Sequence, residues 1–461
     1  MTDQVNAREV ALDMLLEVLE GDKYSHTVMN QTLKNHQQLE KQERAFITRI
    51  FHGTVKVYLT LDYVINQFSS LPTNKMKPLI RNLLRMSVYQ LMYMDQVPVS
   101  AVCNEAVKLS KKRSFTKLSG FVNGVLRNIA RNLNNISFPD KLKSPVQYLE
   151  ITYSFPEWLV SELLSQYDFD QVEAMLTASL KEKETTIRCN QRKNTPDELK
   201  ERLIKEGVTV EESEYLPYAY KIKDYDYLEK LDTFSKGYFT VQDVSSMLVC
   251  QVAGIREQDF VVDVCAAPGG KALHAAESAR LVSARDLTEY KTRLIDDNIH
   301  RLDCKNVTTK VWDATVPDTD IIGQADVVIA DLPCSGFGVL GKKSDIKYKL
   351  TKQQMKELVE LQRRILQVVQ SYVKEDGILI FSTCTVNREE NQGNREWFLK
   401  NFPFEAENLN PFLPKQIQSD TTKEGYLQLL QGIHNTDGFF ISKFRKKKSQ
   451  QSKAIIKEKE K

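Results

Sequence analysis

Apolar residues recur at helical spacing through the first part of the chain. Sets that fall on one helical face are Ala11, Leu15, Val18 and Leu19, then Leu79, Leu83, Met86 and Leu91, then Phe121, Val122, Val125 and Ile129. Turn-forming breaks at 21–22, 71–74 and 96–98 separate these stretches. An apolar period of 3.6 residues is typical of amphipathic helices that share one core. The pattern predicts an all-helical bundle over residues 5–135, within a first domain spanning 1–138.

The pattern becomes mixed between residues 139 and 240. Two helices are expected near Pro156–Ser165 and Gln171–Leu180. Thr195-Pro196-Asp197-Glu198 is a helix start signal, since a threonine and a glutamate three residues later bind the first free amides. A strand at 186–188 and tyrosine-rich strands near 215–228 complete the prediction of a small α+β module.

Residues 241–445 alternate between apolar strands and helical stretches. The strand candidates are Phe260–Val264, Leu281–Ala284, Val307–Val311, Val327–Ala330, Ile378–Phe381 and Gly438–Phe444. Near-continuous apolar strands separated by helices favour a doubly wound, mostly parallel sheet. We therefore predict a Rossmann-like α/β domain over 241–445. The lysine-rich end, 446–461, has no apolar periodicity and predicts a disordered basic tail, with an ordered RNA contact as the alternative.

Length and composition limit the class of protein. A chain of 461 residues is long enough for about three domains. No apolar run approaches the roughly 20 residues of a membrane span, and the first residues lack a signal pattern, so we expect a cytoplasmic protein without membrane contact. The seven cysteines form no Cys-x-x-Cys pair and the histidines show no ligand spacing. Reduced thiols and no metal site are expected.

Basic residues are clustered although the net charge is only +3. One cluster comprises Lys108, Lys111, Lys112, Arg113 and Lys117, followed by Arg127 and Arg131, and the other comprises Lys342, Lys343, Lys347 and Lys349. Such patches are typical of phosphate contacts with nucleic acid. The alternative for either cluster is an ordinary solvated helix face.

Polar candidates follow the predicted strands. A small-residue loop comes after Val264, and Asp286, Asp313, Asp331 and Cys384 come at or after the ends of four other strands. Ligands of open parallel sheets bind beyond the carboxyl ends of the strands. The strands were assigned from apolar runs alone, so their common polar edge is an independent prediction of a site.

The loop Ala266-Ala267-Pro268-Gly269-Gly270-Lys271 is the candidate for cofactor binding. It lacks the Gly-x-Gly-x-x-Gly spacing, but small residues let the backbone approach a ligand and proline stiffens the turn. Asp286 lies about 20 residues beyond Asp263, the offset at which an acidic side chain reaches ribose hydroxyls. A nucleotide-like cofactor is expected, and the alternative is a tight strand–helix turn with a capping aspartate.

Two cysteines are candidates for nucleophilic chemistry. Cys334 lies in Asp331-Leu332-Pro333-Cys334-Ser335, and Cys384 lies in Ser382-Thr383-Cys384-Thr385. A thiolate is an intrinsically strong nucleophile and suits addition to an electron-poor ring. The alternative for each is a buried, inert thiol. Composition does not decide which of the two attacks.

Together, the small-residue loop and the two cysteine segments resemble the RNA cytosine-5 methyltransferases. The resemblance implies S-adenosylmethionine as cofactor, with Cys265–Lys271 around its methionine moiety, Asp286 on the ribose and Asp313 near the adenine. Asp331 would lie beside the methyl donor and the target base, near the ring nitrogen as an acid.

The same resemblance divides the chemistry between the two thiols. It implies attack on C6 of cytosine by Cys384 and assistance to release by Cys334. DNA cytosine methyltransferases attack instead with their Pro-Cys thiol. Leu332 replaces a common alanine and Ser344 a frequent proline, and neither change removes a functional group.

The helical region also resembles a known family. Val97-Pro98-Val99-Ser100-Ala101 and Phe121-Val122-Asn123-Gly124-Val125 are similar to segments of the RNA-binding antitermination factor NusB. The module at 139–240 resembles the RNA-recognition-like subdomain of RNA cytosine-5 methyltransferases. This fusion implies 16S ribosomal RNA or an assembling small subunit as the partner, and we expect a monomer. The alternatives are action on transfer RNA, another RNA or DNA, or a non-catalytic RNA-binding factor.

Overall fold

The computed structural model describes residues 6–36 and 38–448. The helices are α1 Ala7–Leu19, α2 Ser25–Asn35, α3 Lys41–Phe68, α4 Pro78–Tyr93, α5 Val99–Lys112, α6 Ser119–Arg131, α7 Pro145–Tyr153, α8 Glu157–Leu164, α9 Phe169–Leu180, α10 Pro196–Lys205, α11 Asp232–Ser235, α12 Val244–Ala253, α13 Gly270–Ala275, α14 Glu289–Leu302, α15 Ile346–Lys349, α16 Lys352–Val369, α17 Asn394–Asn401 and α18 Asp420–Lys423. The strands are β1 Thr185–Cys189, β2 Thr209–Glu212, β3 Ala219–Lys223, β4 Phe239–Val241, β5 Phe260–Asp263, β6 Leu281–Asp286, β7 Val307–Val311, β8 Ala325–Asp331, β9 Val373–Thr383, β10 Phe404–Ala406, β11 Tyr426–Leu429 and β12 Phe439–Lys446. The predicted basic tail lies outside the described residues from 449 onward.

The chain divides into two compact units. The first contains the residues up to Lys181 together with Leu340–Lys349, and the second contains Glu182–Val339 and the chain from Leu350 onward. Each unit has its own hydrophobic core. Among the described residues, no helix combines the length and the apolar character needed to cross a membrane.

The first unit is helical, as predicted. Helices α1 to α6 each bury one apolar stripe in a shared core, which includes Leu15, Ile50, Phe51, Leu83 and Leu126, all without exposed area. Regular spacing of these residues is what makes each helix amphipathic, and burial of the stripes holds the helices together. The predicted all-helical bundle is confirmed.

One segment of the first unit comes from much later in the sequence. Leu340–Lys349, here called the strap, packs with the N-terminal helices. Helix α3 is kinked at Val57, where φ is −125°. The carbonyl oxygen of Lys56 beside the kink accepts hydrogen bonds from Lys347 Nζ and from the Tyr348 hydroxyl, both at 3.0 Å. The strap therefore supplies hydrogen-bond donors to a backbone carbonyl that the kinked helix leaves available.

Lys347 is one of the largest fully buried side chains of the protein. Its Nζ lies 4.1 Å from the centroid of the Phe155 ring. Burial, with a further contribution from the charge of Lys56, holds the pKa of Lys347 well below its usual value. Of the four lysines predicted to form a basic patch here, only Lys342 and Lys343 have exposed side chains. The prediction of a four-lysine phosphate surface is wrong, because the strap folds into a core.

Asp345 joins the strap to the start of α2. Its carboxylate accepts hydrogen bonds from the backbone N–H of Ser25, at 2.8 Å, and from the Ser25 hydroxyl, at 2.6 Å. Both residues are 1% exposed. The first N–H groups of a helix have no partner within the helix, so a carboxylate at that end acts as a cap. Here the cap comes from a residue distant in sequence.

We expect Asp345→Ala to loosen α2 and the strap. The change leaves the buried N–H and hydroxyl of Ser25 without an acceptor, which costs about 1–3 kcal/mol. Hydrogen exchange read by mass spectrometry should show faster exchange of the α2 amides. Asp95→Ala, at an exposed turn position, is the matched control and should leave α2 unchanged. Equal protection of α2 in both variants would contradict the capping role.

The second unit begins with the small α+β module. An antiparallel sheet has the strand order β2-β3-β1-β4. Helix α10 starts at the predicted signal, where Thr195 accepts from the N–H of Glu198 and the Glu198 carboxylate accepts from the N–H of Thr195. The predicted module is confirmed, although neither β2 nor the short β4 strand was predicted.

The large sheet has the order β10-β12-β9-β8-β5-β6-β7, with β11 paired to β12. Strands β5 to β9 are parallel to their neighbours, whereas β12 runs antiparallel to β9. The β11–β12 connection is too short for a crossover helix, so these two strands pair as antiparallel neighbours. The Rossmann-like domain is confirmed, with a mixed edge where a mostly parallel sheet was predicted.

Both faces of the large sheet are covered. Val261 on β5 packs in one apolar cluster and its neighbour Val262 packs in another, and neither is exposed. Successive side chains of a strand point to opposite faces, so the two clusters lie on opposite sides of the sheet. With both faces occupied, the carboxyl edge of the strands is where polar side chains can meet a ligand.

Candidate active site

Strand pairing brings the predicted polar residues to one edge. In the parallel register, Asp286 at the end of β6 is opposite Val311, and Asp331 at the end of β8 is opposite Ser382. Cys384 follows β9 directly, and the loop that starts at Cys265 follows β5. Residues predicted from separate apolar runs therefore lie at the same carboxyl edge.

The loop after β5 is pinned to the neighbouring strand. The N–H of Ala266 donates to the carbonyl of Arg285 on β6 at 2.8 Å, and the N–H of Gly269 donates to the carbonyl of Ala266 at 2.7 Å. Gly269 has φ of +108°, and a Cβ there would lie 3.1 Å from Leu273 and 3.3 Å from Ile295. Glycine is required for this backbone conformation and for this close packing.

Asp286 braces the same loop. Its carboxylate accepts from the N–H of Ala267 at 2.9 Å and from the N–H of Leu287 at 2.8 Å. Lys291 lies 3.0 Å from it and partly balances its charge. Asp286 is 4% exposed, so a buried carboxylate fixes the loop while facing the strand edge.

Asp313 is exposed two residues beyond β7. Its carboxylate accepts from the N–H and the hydroxyl of Thr315, and these hydrogen bonds lower the pKa of Asp313. The adjacent Trp312 donates its N–H to the carbonyl of Asp286 at 2.9 Å. Asp313 is thus tied by the backbone to the end of β6.

Lys271 and Asp331 form the central ion pair. Lys271 Nζ donates to Asp331 Oδ2 at 2.6 Å, and the hydroxyl of Ser382 donates to Asp331 Oδ1 at 2.8 Å. Burial alone would lower the pKa of Lys271, but the carboxylates of Asp331 and Asp263 outweigh it and raise that pKa. Lys271 therefore carries a positive charge inside the site.

Asp263 adds a second carboxyl group beneath this pair. Its Oδ1 accepts from the N–H of Cys265 at 3.4 Å, and its buried Oδ2 has no hydrogen-bond partner among the described residues. Burial raises the pKa of Asp263 to about 7, although Lys271 acts in the opposite direction. Asp263 is thus a carboxyl group that titrates near neutral pH.

The sulfur atoms of Cys334 and Cys384 lie 3.3 Å apart. The hydrogen bond with Cys384, together with burial, holds the pKa of Cys334 well above its usual value. Because the two thiols are hydrogen-bonded to each other, loss of a second proton from the pair is opposed once one sulfur carries a negative charge. The backbone around the second thiol is also fixed, since Gly338 donates its N–H to the carbonyl of Cys384 at 3.0 Å.

The other cysteines differ from this pair. Cys103, Cys189, Cys250 and Cys304 are buried and separate from one another, and burial raises the pKa of each thiol. Cys265 lies at the start of the cofactor loop, where burial likewise raises its pKa. In the described part of the chain, no group of three histidine, cysteine or acidic side chains could hold a metal ion.

A cavity of about 380 Å³ lies away from the strand-end residues. Its lining includes Tyr218, Cys250 and His274. His274 packs edge-on against Tyr218 with ring centroids 5.6 Å apart. None of the predicted site residues lines this cavity.

Three site residues were missed in the sequence. Ser382 binds Asp331, while Glu390 and Asn391 are fully buried directly beyond the Cys384 segment. A serine at a strand end has a weak signal in a single sequence. An acidic residue at the start of a helix is ordinary because it complements the helix dipole, so Glu390 had no distinguishing signal at all.

Comparison with known proteins gives the same three-part division. The model of the NusB family matches residues 5–131, that of the ferredoxin-like domain of RsmF/B-like methyltransferases matches 155–225, and that of the 16S rRNA methyltransferase RsmB/F matches 251–445. The solved structure of PH0851 superposes with a TM-score of 0.79 at 25% identity, covering 96% of this chain and 99% of that one.

Two curated relatives match over nearly their whole length. The probable ribosomal RNA small subunit methyltransferase B of Bacillus subtilis (strain 168) is 34% identical over 450 residues, which cover 96% of this chain and 99% of the relative. The protein of the same description from Synechocystis sp. is 29% identical over 452 residues, covering 96% and 100%.

A Rossmann-like domain that matches the 16S rRNA methyltransferase RsmB/F model, preceded in the sequence by a NusB-like bundle, identifies an RNA methyltransferase. The chain belongs to the family of ribosomal RNA small subunit methyltransferases B. The predicted resemblance, including the fused NusB-like domain, is confirmed.

Asp263 generates a pH-dependent prediction. A carboxyl group whose pKa is about 7 in the folded chain and near 4 in the unfolded chain binds more protons when folded, so its ionisation lowers stability as pH rises between these values. The Asp263→Asn side chain does not titrate in this pH range, and its amide oxygen can still accept a hydrogen bond from the N–H of Cys265. The stability of the variant relative to the parent chain should therefore increase from pH 4 to 7 and level off above. Denaturant titrations at several pH values would measure it, and a difference that does not vary with pH would contradict the assignment.

Proposed function

We propose that this chain methylates C5 of a cytosine in 16S ribosomal RNA, through a covalent bond between Cys384 and C6 of the base. The observation that carries the proposal is the 3.3 Å separation of the Cys334 and Cys384 sulfurs beside the Lys271–Asp331 ion pair. One thiol would serve addition alone, whereas two in contact supply a nucleophile and a second group for release. Family membership supports ribosomal RNA as the substrate.

The residues of the strand edge fit S-adenosylmethionine as the methyl donor. Asp331 pairs with Lys271 and Asp286 pairs with Lys291, and Asp263 is a further carboxyl group at this edge, which suits a ligand with a positive sulfonium. Asp263 Oδ2 also has no partner in the described chain. In this proposal the backbone of the loop Cys265–Lys271 surrounds the methionine moiety. Asp286 binds the ribose and Asp313 lies near the adenine. The cofactor supplies an electrophilic methyl group.

Addition of the thiol activates the ring. The Cys384 thiolate forms a bond to C6, and the electrons of the C5–C6 double bond make C5 nucleophilic. Cys334 keeps its proton because its pKa is raised, so it can hydrogen-bond to the Cys384 thiolate without competing for the base. Both cysteines are only partly buried, so the thiolate remains accessible to the base.

Lys271 and Asp331 act on the charge that addition generates. A proton reaches the ring nitrogen as the C6–sulfur bond forms. The sequence assigns the acid role to Asp331, and this remains a prediction. Because Asp331 is paired with Lys271, the proton that it passes to the ring is shared with the ammonium group. The Lys271–Asp331 ion pair thus keeps a proton next to the base, and no separate protonated carboxyl group is needed.

Release requires loss of the C5 proton. After C5 has accepted the methyl group, a base removes the proton from C5, the C5–C6 double bond re-forms and the C6–sulfur bond breaks to return the Cys384 thiolate. The ring nitrogen gives its proton back to the Lys271–Asp331 pair, so the net product besides 5-methylcytosine is the one proton taken from C5. Cys334 lies in contact with the leaving sulfur and assists this elimination. The chain ends the cycle with both thiols restored and one proton released to solvent.

The substrate can be tested directly. Nucleoside analysis of 16S ribosomal RNA from cells that lack this chain should show the loss of one 5-methylcytosine, and purified chain with S-adenosylmethionine should restore it. Transfer RNA from the same cells is the control. A loss confined to transfer RNA would contradict the proposal.

The two thiols should give opposite results when they are removed. Cys384→Ala should abolish methyl transfer and any covalent complex with RNA, because no C6 bond can form. Cys334→Ala should still methylate but accumulate a denaturant-stable adduct, because only elimination is slowed. A denaturing gel of each variant with labelled RNA and cofactor measures both outcomes.

Cys304→Ala is the control for the thiol variants, since Cys304 is buried away from the site. It should resemble the parent chain in both readings. An adduct formed by Cys384→Ala and absent from Cys334→Ala would reverse the roles and favour the DNA-type arrangement.

RNA affinity is assigned to the helical unit. Arg113 is bound to Glu9 and Asp13, and Lys112 is bound to Glu9. These two cations are therefore poor probes, since changing them disturbs α1. Lys108 is likewise paired with Glu105. The other exposed members of the predicted cluster are Lys111, Lys117, Arg127 and Arg131.

Changing Lys111, Lys117, Arg127 and Arg131 together to Gln should weaken RNA binding. Each lost phosphate contact lowers the slope of log affinity against log salt by roughly 0.7–0.9, so the slope should fall by up to about 3. Affinity for S-adenosylmethionine should stay unchanged. The matched control changes Lys34, Lys41, Lys75 and Lys77, exposed cations of other elements, to Gln. Equal salt slopes in the two variants would argue against this surface.

A further inference from the structure

A buried polar network is hydrogen-bonded to the two cysteine segments. Its members follow β9 in a π-helical turn, Glu389–Gly393, or lie on α16. Glu390 and Asn391 have no exposed area. π-helical turns are uncommon and occur often at functional sites.

Glu390 holds the segment that carries Cys334. Glu390 Oε2 accepts from the N–H of Ser335 at 2.9 Å and from Gln362 Nε2 at 3.0 Å. The same Gln362 nitrogen donates to the carbonyl of Pro333 at 2.8 Å. The residues on both sides of Cys334 are therefore held through one carboxylate and one amide.

Asn391 holds the segment that carries Cys384. The hydroxyl of Thr383 donates to Asn391 Oδ1 at 2.5 Å, and Asn391 Nδ2 donates to the carbonyl of Thr385 at 3.0 Å. These are the residues directly before and after Cys384. Two consecutive side chains of one turn thus hold the two thiol segments separately.

The segments are also joined to each other. The hydroxyl oxygens of Ser335 and Thr385 lie 2.6 Å apart and share a hydrogen bond. Gln362 is itself fixed, since Asn394 Nδ2 donates to Gln362 Oε1 at 2.7 Å. The network therefore continues from α16 through the π-helical turn to both cysteines.

Stability alone does not account for a carboxyl group in this position. Glu390 Oε1 is buried without a hydrogen-bond partner among the described residues, which costs free energy that an apolar side chain would not. Burial raises the pKa of Glu390, opposed by the hydrogen bonds from Ser335 and Gln362. A buried acceptor that is costly and is aimed at the backbone beside a thiol indicates a role in setting geometry.

We propose that Glu390 and Asn391 are positioning residues, Glu390 for Cys334 and Asn391 for Cys384. The assignment rests on the proposed function, because it attributes a separate step to each thiol. Glu390 then governs release and Asn391 governs attack. Neither side chain contacts the base, so both act through the cysteine backbone.

Alanine variants should separate the two steps. Glu390→Ala should slow turnover by roughly 10- to 100-fold and accumulate the RNA adduct, since a displacement of about 1 Å can cost 100-fold. Asn391→Ala should instead slow adduct formation by a similar factor and leave no adduct. Single-turnover methylation and adduct yield on a denaturing gel give the readings. Loss of fold alone would lower both readings together and would not invert their ratio.

Conservative variants and a neighbour supply the controls. Glu390→Gln keeps an acceptor oxygen for Ser335 and should restore most of the turnover. Glu389→Ala, exposed in the same turn, should resemble the parent chain. If an alanine variant does not fold, two further variants test the same segments. Gln362→Leu removes the hydrogen bonds of Gln362 with Pro333, Glu390 and Asn394, and Thr383→Val removes the one from Thr383 to Asn391. Each should change the two readings in the same direction as the alanine variant of its segment.

Two outcomes distinguish the proposals. If Cys334→Ala accumulates the adduct while Glu390→Ala and Gln362→Leu do not, the positioning role is overturned and the proposed function stands. If Cys334→Ala itself fails to accumulate the adduct, the division of labour between the thiols fails. Equal loss of attack and release in the Glu390 and Asn391 variants would also overturn the separate assignments.

Discussion

Parallel pairing of β8 with β9 places Asp331 opposite Ser382, and the arrangement of the site depends on this register. Cys334 follows Asp331 by three residues and Cys384 follows Ser382 by two residues, so the two sulfurs meet just beyond the strand ends. A shift of one residue in either strand would turn its side chains to the other face of the sheet. The apolar residues of β8 and β9, buried on both faces, specify the register and with it the distance between the thiols.

Electrostatics gives this edge its chemical character. Lys271 is the buried cation among several carboxylates, and its ammonium group pairs with Asp331 while Asp263 titrates near neutral pH. In a region of low dielectric, such charges act over longer distances than in water. The site thus keeps a proton and an excess of negative charge next to the thiol pair. None of the groups involved needs to be exposed to solvent.

The amino-acid pattern predicted the three-part architecture and the strand edge because both follow from local periodicity. Apolar runs mark the parallel strands, and polar residues at their ends fall on one side by topology. Lys347 could not be predicted correctly, because its burial depends on a kink in α3 and on the ring of Phe155, both distant in sequence. Glu390 was missed for a similar reason, since its partners Ser335 and Gln362 come from other segments.

The strap also has a consequence for biosynthesis. The N-terminal unit leaves the ribosome first, but the residues that cap α2 and satisfy the carbonyl of Lys56 are translated only after strands β5 to β8, half of the large sheet, have been made. At typical rates of elongation, this interval is on the order of ten seconds. During that time the bundle must persist without the hydrogen bonds of Asp345 and Lys347. The N-terminal unit can therefore be completed only after the middle of the α/β domain has been translated. The two units cannot complete their folding independently of each other.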